Sequence, residues 1–180
     1  MGSPREPPPA KYFVALLSSE VNLLTAVEAD LTPILGAVDR RSEVWPWNVS
    51  RYYESEMGAG LLRRFVSFLP LGSPGKLAEI KLQTQQVEAK YWTCEAGREG
   101  RRVNVDPGYC EAGKVVLAST KNANHRIYLN SGIFAEATLV YYEGVFHDGL
   151  RTYADYRWPE TLCFFNALRS VYLSQLRQSA

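Results

Sequence analysis

The sequence predicts a single α+β domain in which helices pack against a mixed or antiparallel sheet. The chain has 180 residues with 46% hydrophobic content, which is enough for one sizeable core. Short runs of strand-forming residues alternate with segments whose apolar residues recur at helical spacing. The first six elements follow the order strand, helix, strand, strand, helix, strand, which is the order of a ferredoxin-like βαββαβ core. A helix, a hairpin and a last helix follow.

Charge and cysteine content exclude several classes of protein. Lys and Arg number 20 against 19 for Asp and Glu, so the chain lacks the basic field of a non-specific nucleic-acid binder. The three cysteines form no CxxC pair, which argues against a disulfide framework or a cysteine zinc site and fits a reducing compartment. No run reaches the ~18 apolar residues of a membrane span, and the start lacks the apolar core of a signal peptide. We expect a cytoplasmic protein with no membrane partner.

The chain opens with a proline-rich segment, and the folded domain follows it. Residues 1–10 hold four prolines and little apolar surface, so we expect a disordered arm before a domain over residues 11–180. Residues 12–17 form an apolar run without polar alternation, which predicts a strand covered on both faces. A helix should begin near Glu20 and end near Gly36.

The next elements are a hairpin and the clearest helix of the chain. Residues 38–53 predict an irregular edge strand, because Pro46 lies between two tryptophans and cannot donate to a sheet. Residues 61–69 predict its partner strand. Residues 76–92 place apolar side chains at spacings of three and four, which indicates a helix. A polar loop should follow at residues 94–100.

A short strand and a capped helix are expected next. Residues 102–106 alternate in polarity, so Asn104 and Asp106 should point to the same side of a strand. Asp106 is followed by Pro107, a pair that resembles a helix cap with proline in the first turn. The sequence therefore predicts a helix from Asp106 to a break near Ser119.

A hairpin and a terminal helix complete the chain. With a three-residue loop, the hairpin places Arg126 opposite Glu136, whereas a two-residue loop places Glu136 opposite Ile127. The register of the hairpin therefore decides whether these two charged residues pair. The hairpin strands cover residues 125–129 and 133–142, a turn follows at residues 143–144, and the last helix covers residues 159–176.

Several segments resemble, in the same order, the pattern of a bacterial family catalogued as domain of unknown function, number four-four-one-six. The segments are YFVALLSSE, YYESEMG with LRRFVSF, EIKLQT, RRVNVDPGY, VLASTKNANHRIYL, GIFAEATLVYY and TYADYRWPE. The resemblance covers nearly all of the chain after the proline-rich arm. Some members carry an automatic label as GTP-binding proteins, but this sequence has neither a GxxxxGK[ST] phosphate loop nor an NKxD-like base reader. The resemblance therefore implies membership rather than an activity.

The residues best suited to chemistry cluster between the predicted helix end and the hairpin. Lys121 and Arg126 suit phosphate or carboxylate oxygens, so we expect a phosphorylated or otherwise anionic small molecule, a nucleotide among the candidates. His125 is the candidate general acid or base because histidine titrates near neutrality. The alternative is structural: Arg126 pairs with Glu136 and the cluster holds the fold. The other candidate catalytic residues are Asp106 and Glu136. The other candidate ligand-binding residues are Thr120, Asn104, Lys81 and a strand arginine, Arg63 or Arg64, of which we choose Arg64.

Oxygen-bearing side chains in the same stretch raise the question of a metal. Asn104, Asp106 and Glu136 could hold a magnesium ion, especially beside a bound phosphate. The competing interpretation is that Asp106 caps a helix, which needs no metal. We therefore assign no metal ligands and retain magnesium only as a candidate cofactor.

A second class of function rests on the aromatic residues near the predicted edge strand. Trp45, Trp47 and Tyr53 lie close to Arg51, a mixture that can stack on RNA bases. No RNP-type motif accompanies them, so packing of the aromatic side chains of an edge strand against a helix is the preferred explanation. The sequence thus leaves two hypotheses, a small-molecule site with acid/base chemistry or a non-catalytic module for RNA or protein, and it does not decide whether the protein is an enzyme.

Overall fold

The computed structural model describes residues 2–95 and 98–179. The strands are β1 (Ala10–Ser18), β2 (Val38–Arg41), β3 (Trp45–Pro46), β4 (Leu62–Gly72), β5 (Trp92–Glu95), β6 (Arg98–Arg101), β7 (Val103–Cys110), β8 (Lys114–Ser119), β9 (Ile127–Asn130), β10 (Ile133–Tyr142) and β11 (Val145–Asp148). The helices are α1 (Val21–Leu35), α2 (Glu54–Met57), α3 (Leu77–Lys90) and α4 (Pro159–Ser179), with short 3-10 turns at Pro74–Lys76 and Ala154–Arg157.

Nine of these strands form one antiparallel sheet, so the prediction of a single α+β domain is confirmed. Its order is β11-β10-β8-β7-β1-β4-β2, with β3 beside β4 and β9 beside β10. The other two strands, β5 and β6, form a separate small hairpin. Among the described residues, no helix is both long and apolar enough to cross a membrane.

The central strand β1 explains how the two faces of the sheet are covered. Tyr12, Val14 and Leu16 belong to a core shared with α1 and α3. Phe13 and Ala15 point the other way, into a core shared with α4. Every residue of β1 is buried, which confirms the prediction of a strand covered on both faces.

The segment from β1 to β7 contains the six elements that predicted a ferredoxin-like core. Its four main strands lie in the order β7-β1-β4-β2, and α1 and α3 pack on the same face. The short elements β3 and α2 lie between β2 and β4, and β8, β10 and β11 extend the sheet beyond β7. The ferredoxin-like assignment itself stays a prediction.

The helix predicted to start at Asp106 and end near Ser119 is wrong. This stretch forms β7 and β8, joined by a turn in which the Glu111 N–H donates to the Lys114 carbonyl at 2.9 Å. β7 pairs with β1 along its whole length, and this long-range pairing overrides the local Asp-Pro signal. Gly108 also favours the strand, since an added Cβ would lie 2.5 Å from the Phe13 ring.

Other local predictions need smaller corrections. The polar loop predicted at residues 94–100 overlaps β5 and β6, although residues 96–97 lie outside the described residues. The strand β11 was not predicted. Residues 2–9 are exposed and lie before β1, and the disorder expected for this arm stays a prediction.

The predicted hairpin near residue 130 is confirmed as β9 and β10, and its register places the charged pair. Its loop has two residues, Ser131 and Gly132, both with positive φ. A bulge between Ile133 and Phe134 then shifts the register, so that Ala135 lies opposite Ile127. The residues next in line, Arg126 and Glu136, therefore meet across the hairpin, as the three-residue loop would have placed them.

Candidate functional site

The main irregularity of the sheet is an opening between β7 and β8. These strands pair only from Gly108 opposite Leu117 onward, whereas β7 continues beside β1 back to Val103. Where β8 no longer pairs with β7, side chains of α3 bond to the β7 backbone instead. The Val105 N–H donates to Glu88 Oε1 at 2.6 Å, and the Val105 carbonyl accepts from Lys81 Nζ at 3.0 Å. The backbone N–H and carbonyl of Val105 thus bond to charged side chains rather than to a neighbouring strand.

A short charged network lines this opening. Lys81 Nζ lies 2.8 Å from Asp106 Oδ1, and Asn104 Nδ2 donates to Asp106 Oδ2 at 2.5 Å. Asn104 and Asp106 therefore point the same way, as their alternation on the strand predicts. Burial opposes ionisation of Asp106, but Lys81, Arg63 and Asn104 together outweigh it, so the pKa of that carboxyl is lowered.

The network leads into a small polar pocket with a volume of about 80 Å³. Arg101 closes one side, with its guanidinium 3.0 Å from Glu56 Oε1 and 3.4 Å from Glu88 Oε2. Burial raises the pKa of Glu88, and the neighbouring Lys81 only partly opposes that rise. The lining of this pocket includes Lys81, Gln85, Glu88, Arg101, Asn104 and Thr120.

A second, aromatic pocket with a volume of about 220 Å³ adjoins the polar one. The two pockets share lining residues, including Tyr53, Asp106 and Lys121, and we call them together the cleft. The aromatic residues of this pocket come from two segments that are distant in the chain. Its aromatic residues are Trp47, Tyr52, Tyr53, Tyr153 and Tyr156.

Arg63 is the buried cation of the aromatic pocket. Its Nη2 lies 2.8 Å from Asp155 Oδ2, and that oxygen also accepts from Trp47 Nε1 at 3.2 Å. Arg63 is 6% exposed, yet its Nε and Nη1 have no hydrogen-bond partner among the described residues. The Tyr156 hydroxyl, also buried in this pocket, likewise has none there. Such unpaired buried groups are costly, which makes them candidates for contact with a ligand.

Lys121 lies at the mouth of the cleft and is exposed. Its Nζ donates to the Tyr52 hydroxyl at 3.3 Å and lies 4.5 Å from the centre of the Tyr52 ring. Within the described ranges, no carboxylate oxygen comes within 4.0 Å of this ammonium group. Lys121 therefore brings to the cleft a positive charge that is not ion-paired with any described acidic side chain.

Arg126 is held entirely by protein groups. Its Nε donates to Glu136 Oε2 at 2.7 Å, and its Nη1 donates to Ser119 Oγ at 2.7 Å and to the Lys121 carbonyl at 3.0 Å. Its Nη2 donates to the Tyr153 hydroxyl at 2.5 Å. Arg126 thus supports the wall of the cleft, and its guanidinium has little capacity left for a ligand.

His125 and Glu136 form a pair on the far side of Arg126. His125 Nε2 lies 2.9 Å from Glu136 Oε2, and both residues line an outer pocket with a volume of about 520 Å³. Neither of them lines the aromatic or the polar pocket. The candidate acid/base pair and the candidate anion site are therefore neighbours separated by Arg126.

The structure brings most of the predicted site residues to this region. Lys81, Asn104, Asp106, Thr120 and Lys121 line the cleft, Arg126 supports its wall, and His125 and Glu136 line the outer pocket. Arg64 is not among them. It lies on the opposite face, 3.0 Å from Glu28 of α1.

The three oxygen-bearing residues considered for magnesium do not meet around one point. Asp106 is paired with Lys81, whereas Glu136 is paired with Arg126. In the described part of the chain, no group of three or more His, Cys, Asp or Glu side chains is placed to hold a metal ion.

Tyr153, Asp155 and Tyr156 were missed as site residues, and Arg63 was considered only as an alternative to Arg64. Arg63 on β4 shares a pocket with these three residues only because the segment before α4 packs on the face of the sheet to which Arg63 points. One signal was available in the sequence: strand alternation places Arg63 on the same side as Phe65. A charged residue on the apolar side of a strand indicates a buried ion pair or a site.

Comparison with known proteins gives a family and no further relative. A family model described as domain of unknown function (DUF4416) matches residues 8–172. No curated protein and no solved structure matches the chain.

Proposed function

The chain belongs to the DUF4416 family, and from its own cleft we propose that it binds a small phosphorylated or otherwise anionic molecule, with a nucleotide among the candidates. The observation that carries the proposal is Arg63. A buried guanidinium, two of whose nitrogens have no partner among the described residues, lines a pocket, and the exposed Lys121 ammonium lies at the mouth of the same pocket. Both groups bind oxyanions well.

The aromatic walls support a ligand that also carries a flat or apolar portion. Tyr52 and Tyr53 lie with ring centres 4.9 Å apart in an edge-to-face arrangement, and Trp47 lies 5.7 Å from Tyr53. Aromatic faces bind planar rings and the apolar sides of small molecules. The volume of about 220 Å³ falls below the ~300–1,000 Å³ of sites for drug-sized ligands, which favours a compact ligand.

As part of this proposal, His125 acts as the general acid or base. Glu136 accepts from its Nε2 at 2.9 Å and would hold the imidazole in place, as a carboxylate does beside a catalytic histidine. Asp106 is paired with Lys81, so we assign it the placing of a ligand rather than the transfer of a proton. A ligand that reacts must extend from the cleft past Arg126 to the outer pocket.

A thermal-shift screen tests the proposal. The protein is heated with nucleotides, sugar phosphates and carboxylates in a buffer without phosphate, with and without magnesium. A ligand at 100 times its dissociation constant adds about 2.7 kcal/mol to stability. We expect a specific stabilisation that is reduced in Lys121→Ala. The matched control is Lys76→Ala, which removes an exposed lysine away from the cleft and should leave the shift unchanged.

A flat screen on folded protein would contradict the small-molecule proposal. The alternative, a non-catalytic module for RNA or protein, has less support, because Trp47 is 8% exposed and packs in a core with Met57 and Leu61. Salt-sensitive binding of RNA that is lost in Arg51→Ala would favour that alternative.

A further inference from the structure

We infer that the cleft is built for a monoanionic carboxylate carried on a flat ring, rather than for a phosphate ester. This inference rests on the proposed function, because it names the chemical class that the same site would select. Three features of the cleft carry it: the balance of charge, the unpaired donors and the volume.

The balance of charge leaves room for one negative charge. Arg63 is paired with Asp155 at 2.8 Å, and Lys81 is paired with Asp106 at 2.8 Å. Arg101 is paired with both Glu56 and Glu88. Lys121 is the cation in the cleft to which no described carboxylate comes within 4.0 Å. A phosphate monoester carries about −1.5 to −2 charges at pH 7, so its second charge would face Asp106 and Asp155 without a cation to balance it. A carboxylate carries one charge and avoids that repulsion.

The unpaired donors match a group with two acceptor oxygens. Arg63 offers Nε and Nη1, and Tyr156 offers its hydroxyl. Burial raises the pKa of Tyr156 well above that of free tyrosine, so this hydroxyl stays protonated and can donate. An ionised carboxylate is an acceptor only and has ~four lone-pair sites for such donors. It would satisfy groups that are otherwise left without partners.

The route to these donors runs between aromatic side chains. The unpaired atoms of Arg63 and Tyr156 are shielded from solvent, so the aromatic side chains that line the pocket must shift to admit a ligand to them. Tyr52 is 66% exposed, whereas Tyr156 is 1% exposed and lies at the base of the pocket. A carboxylate at the base would place the rest of the ligand among Tyr52, Tyr53 and Trp47. The volume of about 220 Å³ suits one ring better than a base, a sugar and a phosphate together.

Ligand-observed NMR titration of the full chain tests this inference with matched probes. The probes are benzoate, phenyl phosphate and cyclohexanecarboxylate, which separate the charge of the head group from the flatness of the ring. We expect benzoate to bind about tenfold more tightly than either of the others. Lys121→Ala should weaken the binding of benzoate, and Lys76→Ala should leave that binding unchanged.

Tyr156→Phe provides a second readout that a purely structural role would not give. The variant removes a hydroxyl without a partner, so the free protein should melt at a higher temperature than wild type. The same variant should bind benzoate about tenfold more weakly, because one hydrogen bond to the carboxylate is lost. A Tyr156→Phe variant that binds benzoate with unchanged affinity would overturn the assignment.

The outcomes separate this inference from the proposal on which it rests. Phenyl phosphate or a nucleotide binding as tightly as benzoate would overturn the carboxylate assignment and leave the anion site standing. No binding of any probe, together with a flat thermal-shift screen, would remove both.

Discussion

The Glu88 carboxylate accepts a hydrogen bond of 2.6 Å from the backbone N–H of Val105, a group that would bond to the next strand in an uninterrupted sheet. A carboxylate here makes an opening in the sheet possible without leaving the backbone unpaired. The opening is also where the candidate site lies. The same side chain therefore bears on both the fold and the proposed function.

Glu88→Gln should change how stability depends on pH. Burial raises the pKa of Glu88, so the folded protein binds this proton more readily than the unfolded chain does. Stability from this group is therefore present at low pH and falls as pH rises from the unfolded value of about 4.3. We expect the wild-type free energy of unfolding, relative to Glu88→Gln, to decrease as pH rises above about 4 in urea titrations. A relative stability that increases over this range would show that Lys81 and Arg101 outweigh burial.

Arg63→Met should be strongly destabilising. It leaves the carboxylate of Asp155, which is 2% exposed, without its ion-pair partner, a change that costs roughly 3–5 kcal/mol for buried pairs. The double variant Arg63→Met with Asp155→Asn should recover part of this loss, because the amide is neutral and can still accept from Trp47. Urea unfolding measures the free energy of unfolding of the single and the double variant. The control Arg40→Met, at an exposed position of β2, should stay within about 0.5 kcal/mol of wild type.

Arg126→Met should destabilise the protein more than Arg126→Lys. Methionine leaves Glu136, which is 5% exposed, with His125 and the Thr138 hydroxyl but without its cation, and it removes the bond to Tyr153, so a loss of roughly 3–5 kcal/mol is expected. Lysine keeps the charge but cannot reach Glu136, Ser119 and Tyr153 at once, so its loss should be intermediate. Tyr153→Phe removes a single hydrogen bond and should cost about 1 kcal/mol in the same denaturant titration. Equal losses for the two arginine variants would mean that the guanidinium fork is not required.

Gly108→Ala should destabilise the sheet. An added Cβ would clash with the Val116 carbonyl oxygen and would lie 2.5 Å from the Phe13 ring, so the strands or the ring must shift. Overpacking of this kind typically costs about 1–3 kcal/mol, which corresponds to a lowering of the melting temperature by several degrees in a chain of this size. Gly113→Ala is the matched control, because nothing lies within 4 Å of its added Cβ. Similar melting temperatures for the two variants would contradict the predicted clash.

Local patterns were sufficient to predict most of the fold. The unbroken apolar run of β1, the helical spacing in α3 and the turn composition after β9 each carry their structure within a few residues. They failed at Asp106, where a cap-like Asp-Pro pair stands in a strand that is fixed by pairing with β1, about 90 residues earlier. Pairing over such a distance leaves no local trace.

The candidate site was only partly predictable for the same reason. Lys121, His125 and Arg126 are neighbours in the chain, so their clustering was visible in the sequence. Their roles were not. Whether Arg126 is free or fully bonded depends on the hairpin register, and Arg63 reaches Asp155 only through the tertiary fold.

Both outer margins of the sheet are built from pairs of short strands. β2 and β3 share the outer side of β4, and β9 and β11 share the outer side of β10. None of these four strands is longer than four residues. A strand from another molecule would find only brief, interrupted stretches of backbone to pair with, so the sheet resists growth by strand addition and the aggregation that such growth causes.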